Sequence, residues 1–188
     1  MEVFRPSALD PATPAWDERP LWAQADMRGA RSVRRRFGLD VLASNGALAA
    51  RVTVASGLDC AHLTSSDGSA WRITAAGSPW RFSVVDARSG EPAATFVRAR
   101  VRTRGALRLL RSNDDLSLIR RGIVRVTWRL AARDGAPIAG FPVCSGDDGV
   151  ARRFSTEAAV GYGDRLRLAL PLALWIAAEI DRSDVGGG

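Results

Sequence analysis

The chain of 188 residues is 46% hydrophobic and 25% charged, and its net charge of +7 rests on 27 basic residues that are all arginine. This length and composition predict one globular domain with its own core, and the positive charge favours anionic partners without specifying a fold. The longest apolar run, residues 168–178, is too short for a membrane-spanning helix of about twenty residues, and two cysteines are too few for a disulfide framework.

Residues 1–33 are predicted to form an extended N-terminal arm. Its four prolines disfavour regular structure, and its acidic start lacks the basic and apolar segments of a signal peptide. Together with the two cysteines, this composition indicates a reduced, cytoplasmic protein, with peripheral membrane attachment as an added expectation. Trp16 and Trp22 would either dock on the chain's own domain or contact a protein partner.

A basic run at residues 28–36 joins this arm to the first predicted strand of the domain. The run contains no acid, and arginine offers phosphate a planar fork of donors. We therefore expect a secondary candidate site for the phosphates of lipid or nucleic acid. The alternatives are a solvated linker and pairing with the acids of the arm. The residues of this secondary site are Arg31, Arg34, Arg35 and Arg36.

Residues 34–183 are predicted to form one mainly β domain of short antiparallel strands. Hairpin signals recur along it, at Asn45-Gly46, Asp67-Gly68, Ser89-Gly90 and Asp134-Gly135. Triplets of arginine, an apolar residue and a hydroxyl residue stand at 51–53, 72–74, 81–83, 125–127 and 153–155. Because side chains alternate between the faces of a strand, each triplet places its apolar residue inside. The same inner face would hold Trp71, Trp80 and Trp128.

A buried helix near residues 169–181 is predicted to end the domain, followed by a flexible tail at 184–188. Pro171 suits the first turn of a helix, and every residue from 172 to 178 is apolar. A helix that is apolar on every side must be covered on every side. Because the one-sided strands also need something to pack on, we predict a closed antiparallel β-barrel wrapped around this helix.

This pattern resembles the tubby-like superfamily, which includes the tubby C-terminal domain, the phospholipid scramblases and the LURP-one-related proteins. The likeness rests on the arginine- and tryptophan-rich meander of residues 34–183 and on the helix LALPLALWIAAEIDR, which is most similar to the LURP-one-related branch. The resemblance implies a closed barrel around a central helix. Tubby domains bind phosphoinositide headgroups through basic side chains, but their binding motif cannot be matched residue by residue here. The chain also lacks the membrane-inserting segment and the cysteine cluster of the scramblases.

The main candidate site is the segment FVRARVRTRG, residues 96–105, in which arginine occupies every second position from 98 to 104. In a single strand these guanidinium groups would share one face, and two arginines of a later strand would join them if the strands are neighbours. Such a face favours anions, and the alternative is a solvated outer wall that also prevents edge pairing. The candidate residues are Arg98, Arg100, Arg102, Arg104, Arg125 and Arg129.

The motifs give catalysis little support. Cys60 and His62 would share one face of a strand, as a thiol and a base could, and Cys144 would have to converge from far away to complete a metal site. The sequence contains no hydrolase, metalloprotease or phosphate-loop signature. We therefore predict a non-enzymatic protein that needs neither a cofactor nor a metal.

The function expected from the sequence is that of a tubby-like binding or adaptor module. Its first expected partner is an anionic membrane surface, whose lipid headgroups the arginine-rich face would bind. Nucleic acid is an alternative because of the charge, although recognition-helix, zinc-finger and RNP-type signatures are absent and the tryptophans lie on the apolar phase of their strands. A further alternative is a protein-binding scaffold that contacts its partner through residues 1–27.

Overall fold

The structure is a computed structural model that describes residues 21–26, 38–42, 47–54, 60–75, 81–99, 104–122, 127–142, 152–158 and 163–185. Within these ranges the chain forms twelve strands and one helix. The first six strands are β1 (Leu21–Asp26), β2 (Gly38–Leu42), β3 (Leu48–Val54), β4 (Cys60–Ser65), β5 (Ala70–Ala75) and β6 (Arg81–Asp86). The others are β7 (Pro92–Arg98), β8 (Arg104–Leu109), β9 (Asp114–Arg121), β10 (Thr127–Ala132), β11 (Pro137–Pro142) and β12 (Arg152–Ala158). Helix α1 covers Gly163–Val185.

The strands form one antiparallel sheet in which neighbours in the sequence are neighbours in space. Ten strands, from β2 to β11, follow one another as a meander, each hydrogen-bonded to the next. Strand β12 pairs with β11 and with β1, and β1 pairs in turn with β2. The predicted fold class, mainly β with antiparallel strands and one C-terminal helix, is therefore confirmed.

Strand β1 lies inside the segment 1–33, which the prolines predicted to be an extended arm. Its backbone is paired on both sides, with Ala23 opposite Phe154 of β12 and Val41 of β2. This part of the segment therefore belongs to the sheet rather than to a separate arm. Residues 1–20 lie outside the described residues.

Tight turns connect the strands at one end of the sheet. Three hairpin signals lie in such turns as predicted, at Asp67-Gly68, Ser89-Gly90 and Asp134-Gly135, and their glycines have φ values of 80°, 74° and 87°. This left-handed backbone costs glycine little because it has no Cβ. The turn between β8 and β9 uses Asn113 instead, with φ of 53°. The signal at Asn45-Gly46 lies outside the described residues.

Side chains alternate across the strands as the arginine triplets predicted. Val52, Ile73 and Phe82 are buried, and the arginine and hydroxyl residues beside them are exposed or half-buried. Trp71 and Trp128 lie on the same buried face. For Trp80 and Arg125 the prediction lies outside the described residues.

Helix α1 is longer than predicted, because it begins at Gly163 rather than near 169 and ends at Val185. Pro171 therefore lies inside the helix and not in its first turn. Every residue from 169 to 181 is buried, as the all-round apolar pattern required. The helix contacts β2, β3 and β4 as well as β8 and β10. Within the described residues, no helix is both long enough and apolar enough to cross a membrane.

Two polar contacts show how α1 runs along the sheet. Arg167, near the helix start, donates a hydrogen bond of 2.5 Å to Asp67 in the turn between β4 and β5. Near the helix end, Trp128 Nε1 donates a bond of 2.9 Å to Asp181. Trp128 stands at the start of β10, away from the tight turns. The helix therefore ends at the opposite end of the strands, which we call the Asp181 end.

A glycine in β8 makes room for the aromatic core around the helix. A Cβ on Gly105 would lie 2.2 Å from the ring of Phe96 on the neighbouring strand. The Phe96 ring is buried and meets that of Phe82 at 6.1 Å, and Phe82 meets Trp175 of α1 edge-on at 5.4 Å. Because Gly105 has no side chain, the Phe96 ring can pack against it. Ring contacts then run from Phe96 through Phe82 to Trp175 of the helix.

Candidate anion-binding surface

The arginine-rich segment 96–105 is not one strand, contrary to the prediction. Strand β7 ends at Arg98 and β8 begins at Arg104, and the two run antiparallel with Arg98 opposite Gly105. The Ala99 N–H donates a hydrogen bond of 2.9 Å to the Arg104 carbonyl at the point of reversal. Alternating arginines indicate an extended backbone, but alternation carries no signal for where the chain turns back.

The reversal places Arg98 and Arg104 on opposite faces of the sheet. Arg98 follows the buried Phe96 by two residues and is half-buried on the inner phase of β7. Arg104 shares the outer phase of β8 with Ala106 and is exposed. The predicted row of four guanidinium groups on one face is therefore wrong for these two. Arg100 and Arg102 lie outside the described residues.

The structure instead gathers three arginines on the outer face of β8, β9 and β10. Ile119 of β9 stands directly opposite Arg104 of β8 and Arg129 of β10. Arg121 follows Ile119 by two residues on the same face of β9. Neighbouring strands are about 4.8 Å apart, so Arg104 and Arg129 are anchored about 10 Å from each other. We call Arg104, Arg121 and Arg129 the arginine face.

Within the described residues, no acidic side chain pairs with the arginine face. Six other described arginines have an acidic partner, whereas the exposed Arg72 and Arg81 have none among the described residues. The ion pairs are Arg51–Asp40, Arg108–Asp115, Arg111–Asp86, Arg111–Glu91, Arg133–Asp115, Arg120–Asp181 and Arg167–Asp67. Arg51 shows how complete such a pair can be, because it donates to both carboxylate oxygens of Asp40 at 2.7 and 2.9 Å. The exposed guanidinium groups of the arginine face keep their donors available for an external anion.

Two neighbouring arginines of β9 serve opposite faces. Arg120 points to the inner side, where its Nε lies 3.7 Å from an oxygen of the buried Asp181. Arg121 is exposed on the outer side. The contact of Arg120 with Asp181 holds the end of α1 against β9, whereas Arg121 belongs to the arginine face. Sequence reasoning missed Arg121 as a site residue, although its spacing from the buried Leu116 and Leu118 indicates the outer phase of the strand.

The remaining predicted site residues are placed by the structure as follows. Arg129 belongs to the arginine face, two strands away from Arg104 rather than on a neighbouring strand. The described ends of β7, β8, β9 and β10 that flank residues 100–103 and 123–126 all lie at the Asp181 end. The other candidates lie outside the described residues: Arg31, Arg34, Arg35, Arg36 and Arg125.

Cys60 and His62 share the outer face of β4, as their spacing predicted. Cys60 is half-buried, and His62 is exposed between Thr53 of β3 and Arg72 of β5. Cys144 lies outside the described residues. In the part of the chain that the structure describes, His, Cys, Asp and Glu form no group of three able to hold a metal ion.

The fold is similar to that in the X-ray structure of the Arabidopsis thaliana protein AT5G01750, with a TM-score of 0.51. The match covers 97% of this chain and 99% of that chain, at 18% sequence identity. At this identity the likeness shows a shared fold and nothing about function. No family model matches the chain, and no curated protein matches it. Membership of the tubby-like superfamily therefore stays a prediction.

Proposed function

We propose that the protein is a non-enzymatic binding module whose arginine face binds the phosphate-bearing headgroups of anionic lipids at a membrane surface. The observation that carries this proposal is the placement of Arg104, Arg121 and Arg129 around Ile119 with no acidic partner among the described residues. Guanidinium groups bind phosphate through paired N–H donors and stay charged at any cellular pH. A cytoplasmic location, peripheral attachment and independence of any cofactor or metal belong to the same proposal.

We also propose that the scaffold of this site is a closed, tubby-like barrel around α1. The pairing of β1 with both β2 and β12 supports closure, since it leaves neither strand as an edge. The all-round burial of the helix from 169 to 181 and the fold similarity over nearly the whole chain support it too. A closed wall would hold the three described arginines at fixed spacing.

The size of the expected effect follows from the number of arginines. At an anionic membrane, each arginine near the surface contributes about 1 kcal/mol. Three of them contribute about 3 kcal/mol, which corresponds to roughly a hundredfold in affinity. Because the side chains are exposed, salt screens their attraction to the lipid phosphates. At physiological ionic strength the screening length is about 8 Å. Binding should therefore weaken steeply as salt is added.

Co-sedimentation with vesicles tests this proposal. The test variant carries Arg104→Gln, Arg121→Gln and Arg129→Gln, and the control carries Arg72→Gln, Arg88→Gln and Arg133→Gln, which are exposed but lie outside the arginine face. Both variants have the same net charge. We expect phosphatidylserine-containing vesicles to bind the native protein and the control, and to bind the test variant roughly a hundredfold more weakly. Equal loss in both variants would instead indicate attraction by net charge alone.

Single-stranded DNA serves as the competing ligand in the same experiment. Within the described residues every tryptophan and phenylalanine whose exposure is described is buried, so none of these side chains offers a stacking platform for bases. We therefore expect DNA to displace the protein from vesicles only at low salt. DNA binding that survives physiological salt and depends on the arginine face would replace the lipid proposal with a nucleic-acid one.

A further inference from the structure

A short row of apolar residues, two of them exposed and one half-buried, leads into the arginine face. Val97 of β7 is 42% exposed, and among the described residues the only other large apolar side chain exposed in this way is Leu110, at 37%. Val97 stands opposite Ala106 of β8, which is also exposed. Ala106 is in turn opposite Ser117, two residues before Ile119 on β9. Val97 and Ala106 therefore lie side by side on the outer face, and Ile119 lies diagonally from Ala106 on the next strand. We call these three residues the apolar strip.

Arginines border the apolar strip on several sides. Arg81 of β6 is exposed directly opposite Val97, at one end of the strip. The arginine face surrounds Ile119 at the other end. The nearest acid on the outer face of β8 and β9 is Asp115, which lies towards the tight turns and pairs with Arg108 and Arg133. The strip is thus an apolar centre inside a positive border that contains no acid among the described residues.

We infer that the apolar strip inserts into the headgroup–acyl boundary of an anionic bilayer while the bordering arginines bind lipid phosphates. The inference rests on the proposed function and adds how the same face would tell a bilayer from a soluble anion. An interfacial binding face gains affinity both from buried apolar area and from attraction to anionic lipids. The border of charge around apolar side chains matches that combination.

The dimensions of the strip favour a bilayer over a protein. A stable protein interface buries about 800 Å² on each partner around an apolar core, and one valine, one alanine and one half-buried isoleucine make a very small core for such an interface. The outer face of a sheet that wraps a helix is also convex, so a flat protein partner would meet only a few strands. A bilayer needs no fitted surface, because its headgroups move to accommodate a small apolar projection.

Substitutions at Val97 test the insertion, with Leu110 as the matched control at the tight-turn end of the sheet. Val97→Ser and Val97→Trp are compared with Leu110→Ser and Leu110→Trp, all at exposed positions. Two probes are used: vesicles of phosphatidylcholine with phosphatidylserine, and inositol hexakisphosphate as a soluble polyanion. We expect Val97→Ser to weaken vesicle binding about fivefold, because the variant loses part of the apolar area that the native protein would bury in the bilayer. Val97→Trp should strengthen vesicle binding, because tryptophan favours the membrane interface.

The two probes separate the insertion from the proposed function. Neither Val97 variant should change the affinity for inositol hexakisphosphate, and neither Leu110 variant should change the affinity for vesicles. If the native protein binds both probes and the Val97 variants bind vesicles as the native protein does, the insertion is wrong and the arginine face stands. If the native protein binds neither probe, both proposals fail. Equal effects of the Val97 and Leu110 variants on vesicle binding also overturn the insertion.

Discussion

Gly105→Ala places one methyl group where the aromatic core has no room for it. The new Cβ would lie 2.2 and 2.4 Å from two carbons of the Phe96 ring, whereas carbon atoms pack at about 3.5–4.0 Å. The ring cannot swing aside freely because it is 1% exposed and packed against Phe82. Overpacking of this kind costs about 1–3 kcal/mol, and the gain from replacing glycine in the unfolded chain is about 0.4–1 kcal/mol. We therefore expect a net loss of about 1–2 kcal/mol.

Thermal unfolding followed by circular dichroism measures this loss. For a chain of this length, a loss of about 1–2 kcal/mol lowers Tm by about 2–8 °C. Gly140→Ala is the matched control, because a Cβ there meets no atom within 4 Å, and its Tm should equal or exceed that of the native protein. A double variant combines Gly105→Ala with Phe96→Leu. Because leucine has no ring to clash with the new Cβ, the losses of stability in the two single variants should not add in the double variant. An unchanged Tm for Gly105→Ala would show that the ring stack from Phe96 to Trp175 is not packed as described.

Three further changes test the contacts around α1. Trp128→Phe removes the donor of the 2.9 Å bond to the buried Asp181, so the free energy of unfolding should fall by about 1–3 kcal/mol; an unchanged denaturant midpoint would contradict this. Trp175→Asp puts a carboxylate at a position that is 0% exposed, so the variant should be unfolded by circular dichroism, and a folded variant with native Tm would contradict the central helix. Burial raises the pKa of Asp67, but hydrogen bonds from Ser69 and Arg167 outweigh burial and hold the pKa below its ordinary value of 3.8. Asp67 therefore stabilises the fold above pH 3.8, and this contribution should disappear as the pH falls through its lowered pKa. The Tm difference between the native protein and Asp67→Asn should accordingly shrink between pH 6 and strong acid. A difference that stays constant over this range would contradict the stabilising role of Asp67.

The fold class could be predicted because two periodicities in the sequence are strong. Arg72-Ile73-Thr74 shows the two-residue alternation of a half-buried strand, and the structure buries Ile73 alone of the three. The run from 172 to 178 shows no polar face, and the structure buries it on every side. Both patterns follow from the free energy of exposing apolar side chains to water. They can therefore be recognised without knowing which elements the strand or the helix packs against.

Strand β1 and the true helix start could not be predicted in the same way. Prolines near the N-terminus argue against a helix and a central strand, but they say nothing about the segment that follows Pro20. That segment is a strand because β2 and β12 both offer it backbone partners. Likewise, the helix extends ahead of Pro171 to Gly163, and its residue Leu166 is buried. A proline rule based on an isolated helix does not include such packing.

Two of the three residues of the arginine face were predicted from the sequence, but their arrangement was not. Arg104 and Arg129 were both expected, yet their relation depends on β9 lying between them, which a sequence cannot show. Arg98 was expected on the same face as Arg104, and the unseen reversal between them puts it on the other. Arg121 joins the face only because Ile119 is in register with both neighbours. Register is set by contacts between strands, so it becomes visible only in the folded chain.

A fluorescent label in the middle of the apolar strip gives the most direct test of the membrane-binding account. An environment-sensitive dye is attached to Ala106→Cys in a chain that also carries Cys60→Ser and Cys144→Ser, and Leu110→Cys in the same background is the control. The account predicts a blue shift of the dye at position 106 when phosphatidylserine-containing vesicles are added, and no shift with phosphatidylcholine alone or with the dye at position 110. A protein that co-sediments with the anionic vesicles while the dye at 106 stays in water would contradict it, because some other surface would then be meeting the bilayer.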